Sequence, residues 1–191
     1  MKNRVIIGAG NQRWEGWIAT QQDELDLLKP ETFTNFFADE RAEKLLCEHT
    51  WEHLTTEQGV VAAETCFQFL VPGGRLRVAV PDGRFPDAEY QRTVQVGGPG
   101  PADHPAAGHR VLYVAETLLA VFEKAGFEVT LLEWWDASGS FNTTQWSLED
   151  GPIYRSSLLD HRNEVYRNAQ GPLGFSSIIL DAVRPAQEPK R

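Results

Sequence analysis

Between Glu48 and His53 the chain reads EHTWEH, two carboxylates and two imidazoles in one short stretch. His49 to His53 matches H-x-x-E-H, in which two histidines one helical turn apart bind zinc and the glutamate activates water. That chemistry needs the motif inside a helix and a third ligand downstream. Here an apolar run, Lys44 to Cys47, reads as a strand ending at Glu48 and His49, and Thr55 reads as the cap of the next helix. The context therefore disfavours a zinc hydrolase, and no metal ligand is assigned. The plainer reading of Trp51 and His53 is packing against a sheet. A second candidate is Gly8-Ala9-Gly10, which ends a β-branched run, Val5 to Ile7. A glycine turn there either serves as a bare tight turn or brings backbone close to a ligand.

These residues need elements to place them. Shortly after EHTWEH comes FQFLVPGGRLRVAVPD, Phe67 to Asp82, read as the end of a helix, a Pro72-Gly73-Gly74 turn and an alternating strand, Arg75 to Val80. The two strands would carry Glu48-His49 and Pro81-Asp82 at their carboxyl ends, where open α/β sheets bind ligands. The intervening helix has a hydroxyl cap at Thr55-Thr56, then Glu57 and Gln58, and apolar positions at helical spacing to about Leu70. Glu15 to Thr20 reads as a short second strand, Asp23 to Leu28 is ambiguous before Pro30, and Thr34 to Ala42 gives a helical turn or two. Gly83 to Gly108 reads as a long loop, His109 to Ala125 as a helix stopped by Gly126, Glu128 to Glu133 as a strand, Trp134 to Gln170 as irregular, and Gly174 to Val183 as the closing strand. Alternation of strands and helices predicts a mostly parallel sheet covered on both faces. The long aromatic segment before the closing strand allows that strand to be antiparallel.

The 191 residues suit one domain, expected over residues 1–185 with a flexible polar tail at 186–191. A formal charge of -9 gives no footprint for nucleic-acid binding, which needs clustered Lys and Arg. Cys47 and Cys66 lie in apolar stretches and suit reduced, buried thiols. The amino terminus has too short an apolar run for a signal peptide or membrane span, so the expected address is cytoplasmic. Oligomeric state is not legible.

Taken together, VIIGAGN (Val5 to Asn11), GWI (Gly16 to Ile18), LDLLKP (Leu25 to Pro30), EHTWEHL (Glu48 to Leu54), FLVPGGRLRVAVPD (Phe69 to Asp82), EKAGFEV (Glu123 to Val129) and GFSSIILDAVRP (Gly174 to Pro185) make the chain resemble the predicted S-adenosylmethionine-dependent methyltransferases of class I, with a Rossmann-like fold. The loop QVGGPGPADHPA is similar to that of a small bacterial subgroup. The segments fall in the family's order and span nearly the whole chain. The resemblance implies S-adenosylmethionine as cofactor and transfer of its methyl group to an unidentified acceptor. It implies that Gly8, Ala9 and Gly10, with Asn11 beside them, meet the methionine part of the cofactor. The usual ribose-binding acid is replaced: Gln21 stands at its position and Asp23 follows. Asp26 matches the position near the adenine, and Glu48 and His49 those flanking donor and acceptor. His49 is the candidate general base, oriented by Glu48 or Glu52, because an imidazole titrates near neutrality. The stretch from Gly8 to Gly16 is too short for a crossover helix, which predicts a reduced amino-terminal half. That reduction, with Gln21, keeps open a noncatalytic cofactor- or ligand-binding protein of the same fold.

Overall fold

The computed structural model describes residues 2–98 and 104–186. These form a seven-stranded sheet in the order β2-β1-β3-β4-β7-β5-β6. The strands are β1 (Arg4–Ile7), β2 (Ile18–Ala19), β3 (Ala42–Glu48), β4 (Leu70–Pro81), β5 (Glu128–Trp135), β6 (Phe141–Thr143) and β7 (Ser177–Val183). β1 pairs parallel with β2 and β3, and β3 with β4. β7 runs antiparallel between β4 and β5, and β6 forms a hairpin with β5. The antiparallel closing strand is as the sequence allowed.

Period-two alternation divides the core in two. Val5, Ile7, Leu45, Cys47, Val78 and Leu180 point to one face. There they meet α1 (Pro30–Phe37), α2 (Thr56–Phe69) and α4 (Ala115–Lys124) through Phe33, Phe37, Cys66, Phe69, Leu118 and Phe122. Ile6, Leu46, Ala79 and Ile179 point the other way, against Ile153 and the rings of Trp14, Trp17 and Trp146. Both faces are covered as expected, but on this second face irregular aromatic segments do the covering. No helix fits between β1 and β2, so the reduced first crossover is real. Both cysteines are buried and free, and burial pushes the Cys47 thiol up to about 12.

Local signals explain the elements that hold. Thr55 caps α2 in a reciprocal box: its hydroxyl accepts from Gln58 N at 3.2 Å, and Gln58 Oε1 accepts from Thr55 N at 3.0 Å. Several expectations need correction. Pro72-Gly73-Gly74 does not stop the helix, which ends at Phe69; the three residues form a bulge inside β4, where Gly73 has φ +79°. The loop Gly83 to Gly108 contains α3 (Ala88–Val94) and a 3-10 helix, Pro105–Gly108, while its residues 99–103 lie outside the described residues. Residues 109–114 are not helical, so that helix is shorter than its apolar period suggested. The aromatic stretch contributes β6 and α5 (Glu164–Ala169). Pro30 heads α1, where its missing N–H costs nothing, and the helix ends before Ala42. All of the proposed tail except Ala186 lies outside the described residues. Among the described residues no helix is long and apolar enough to cross a membrane.

Candidate functional site

From β1 the chain moves outward to β2, then returns through β3 on the opposite side of β1. Strand order reverses between β1 and β3, and open α/β sheets leave a crevice at the carboxyl ends of such a pair. Gly8 and Gly10 follow β1 there, and Glu48 and His49 end β3. Two adjoining cavities occupy the crevice. The larger, about 570 Å³, is lined by Asn11, Glu48, His49, Glu52, His109 and Arg155 among others. The smaller, about 430 Å³, is lined by Gln21, Leu25, Asp26, Thr50 and Arg110 among others. Gly8, Gly10 and His53 line both.

The glycine turn is shaped for close approach. Gly8 and Gly10 have φ of +65° and +53°, values that disfavour any side chain. A Cβ on Gly8 would lie 2.9 Å from Thr50 Oγ1, whereas one on Gly10 would meet nothing within 4 Å and project into the open crevice. Ala9 N donates to Thr20 O at 2.9 Å, and Gln21 Nε2 donates to Gly10 O at 2.8 Å, fastening the turn to the end of β2. A turn open at Gly10, beside one lobe of mixed polarity and one mainly apolar lobe, can accommodate an amino-acid head and a nucleoside.

The expected site residues separate into groups. Gly8, Ala9, Gly10, Asn11, Glu48 and His49 line the larger cavity; Gln21 and Asp26 line the smaller. Asp23 is exposed and lines neither. Asp26 accepts from Leu28 N at 3.0 Å and pairs with Lys29 at 3.2 Å, contacts that outweigh its burial and hold its carboxyl low. Glu48 is buried, which raises its pKa, and its carboxylate accepts from Gln12 Nε2 and Tyr154 N at 2.8 Å and Arg155 N at 2.9 Å. Those contacts moor the Tyr154-Arg155 segment over the larger cavity.

His49 sits at φ +53°, a strained position for a side-chain-bearing residue that turns it off the strand end. Its Nε2 is 3.0 Å from Ser177 Oγ, and its Nδ1 is 3.5 Å from Glu52 Oε1. Burial, with the nearby positive charge of Arg155, holds the imidazole well below the ordinary histidine value. Glu52 is buried in the 3-10 helix Trp51–His53, and burial pushes its carboxyl up to about 8. The H-x-x-E-H stretch is thus not one α-helix.

Sequence reasoning missed Gln12, next to the glycine turn, and Tyr154, Arg155 and Ser177, which reach the site from far along the chain. His104 caps the 3-10 helix, its Nδ1 accepting from Ala106 N at 3.1 Å, while His109 is buried and lines the larger cavity. The proximity of Gly108 and His109 in sequence held a signal: a Cβ on Gly108 would lie 2.8 Å from His53 Nδ1, so glycine lets this segment reach His53. Trp134, Trp135, Phe141 and Trp146 pack elsewhere and do not line either cavity.

No protein-family model matches the chain, and no curated protein matches it in sequence. Solved structures do match it in shape. A S-adenosylmethionine-dependent methyltransferase from Archaeoglobus fulgidus aligns over 95% of this chain and 86% of its own, at 12% identity and a TM-score of 0.51. A chain from a complex of the Haloferax volcanii Trm112 methyltransferase activator aligns over 99% and 84%, at 13% identity and a TM-score of 0.50. An O-methyltransferase family protein from Burkholderia thailandensis aligns over 90% of this chain but only 37% of its own, at 11% identity and a TM-score of 0.48. Shape over nearly the full length, a β1/β3 crevice and an antiparallel β7 agree: the chain has the class I, Rossmann-like fold of S-adenosylmethionine-dependent methyltransferases.

Proposed function

We propose that the chain binds S-adenosylmethionine and transfers its methyl group to a small acceptor. The observation that carries this reading is Gly10, whose missing side chain would point into the crevice where the two cavities meet. Gly8 to Asn11 would hold the methionine part by backbone, with the nucleoside in the lobe lined by Gln21 and Asp26. Gln21 replaces the acid as the ribose partner; Asp23, lining neither cavity, has no part. The cofactor supplies a methyl on a sulfonium already reactive toward nucleophiles, so the protein's task is alignment. His49 lines the larger cavity, positioned by Ser177 and Glu52; burial keeps its ring neutral, so it takes the proton of a hydroxyl or ammonium acceptor as a weaker base than an ordinary imidazole, not as one titrating near neutrality. Glu48 is a positioning residue that anchors Tyr154 and Arg155 over the acceptor space.

Calorimetry with S-adenosylmethionine and its demethylated product tests the reading: both bind, and absence of binding by either rejects it. Binding of both with no turnover across a broad acceptor panel would instead assign a noncatalytic ligand-binding role. In His49→Ala the single-turnover rate falls at least about tenfold with cofactor affinity intact. A smaller fall removes His49 from the chemistry.

A further inference from the structure

In the lining of the larger cavity, Glu52, His53 and His109 each place one ligand-capable atom within 4.8 Å of the other two. Glu52 is 1% exposed, and among the described residues neither of its carboxylate oxygens accepts a hydrogen bond. A buried carboxylate without donors is costly to keep. Its Oε1 instead faces imidazoles, 3.5 Å from His49 Nδ1 and 3.9 Å from His109 Nε2.

The surroundings fix this cluster. His109 Nδ1 lies 2.9 Å from Val94 O. A carbonyl only accepts, so Nδ1 carries the proton and the lone pair of the neutral ring sits on Nε2, toward Glu52. Metal-binding histidines are oriented in this way, donating the second ring N–H to a carbonyl or carboxylate. Glu52 O accepts from Arg110 N at 2.7 Å and Val111 N at 3.2 Å, which ties the His109 segment to the Glu52 turn. Gly108 allows His53 to approach, and the His53 and His109 rings stand edge to face with centroids 5.0 Å apart.

We propose that Glu52, His53 and His109 form a binding site for one divalent transition cation of the zinc type. Two imidazoles and one carboxylate suit zinc, cobalt or their neighbours better than magnesium or calcium, which prefer oxygen shells. Three protein donors leave coordination positions open toward the cavity, where an oxygen-bearing ligand can complete the shell. The site differs from the H-x-x-E-H peptidase arrangement: Glu52 is a ligand rather than the base, and His109 from another segment takes the place of His49. The proposal does not depend on methyl transfer.

The full chain, stripped with chelator and then freed of it, is titrated with zinc chloride by calorimetry, with magnesium chloride as control. One zinc ion binds per chain, and magnesium binds far more weakly. Glu52→Gln and His109→Ala each weaken zinc binding by about a hundredfold or more, while His161→Ala, on the exposed surface, does not. No zinc binding by the wild type, or undiminished binding in both variants, overturns the site. Cobalt chloride gives a reading that does not rely on the variants folding. Visible bands of low-coordinate, protein-bound cobalt appear on adding one equivalent to wild type, and a spectrum identical to cobalt in buffer rejects the proposal.

Discussion

Gly10 and Gly8 share a conformation but answer different constraints. At Gly10→Ala the left-handed backbone costs about 1–2 kcal/mol, and the new methyl enters the crevice without a clash. The variant folds and loses cofactor affinity, which calorimetry reads directly. Gly8→Ala adds a collision with Thr50, so its thermal midpoint falls further than that of Gly10→Ala. Asp82 offers a separate, pH-based test. Burial pushes its carboxyl up to about 6, against the lowering effect of N–H groups from Arg84 and Trp135. The folded state therefore holds this proton more tightly than the unfolded chain. Its contribution to stability is full below about pH 4 and is lost as pH rises through about 6, with a slope of at most about 1.4 kcal/mol per pH unit. Asp82→Asn cannot ionise, so the stability gap between wild type and variant narrows between about pH 4 and pH 7 in urea unfolding. At this scale the sequence disclosed the groups that end strands, such as Gly8, Gly10 and His49, because a strand end fixes where they go. It did not disclose Glu52 facing His109, since only the fold brings those segments together.

Elements were most legible where their signals are local. Thr55 and Gln58 announce α2 within four positions, and the structure contains the reciprocal cap. Thr55→Ala lowers unfolding free energy by about 0.5–2 kcal/mol, leaving cofactor affinity unchanged. Residues 109–114 show the opposite case. Val111, Leu112 and Val114 keep a helical period, yet the segment is not helical: Arg110 and Val111 donate their N–H groups to Glu52 O. A tertiary partner outcompeted the local period. Pro72-Gly73-Gly74 reads as a stop by composition, but the chain uses it to shift register between β3 and β4.

For the molecule as a whole, the sheet's second face depends on one buried ion pair. Alternation in RLRVAV sends Arg77 to that face, where a half-buried strand would place solvent, yet it is fully buried. Its guanidinium grips Asp181 through two hydrogen bonds of 2.7 and 2.9 Å and donates to Ser147 O and Gly151 O. It also stacks on Trp146, with its guanidinium carbon 4.9 Å from the ring centroid. Asp181→Leu strands that cation and costs roughly 3–5 kcal/mol, whereas Arg77→Met with Asp181→Leu costs less than the sum of the single changes. Urea unfolding of the three variants decides it. The mostly parallel sheet was legible from alternating elements, but the covering of this face was not, because aromatic loops carry no periodic signal. The place of β7 has a further consequence in time. Among the described residues β7 follows every other strand in sequence yet lies inside the sheet, between β4 and β5. During synthesis β4 and β5 must wait with unpaired edges until Ser177 to Val183 emerges. Such late, long-range closure slows folding and keeps two strand edges open until Ser177 to Val183 pairs between them.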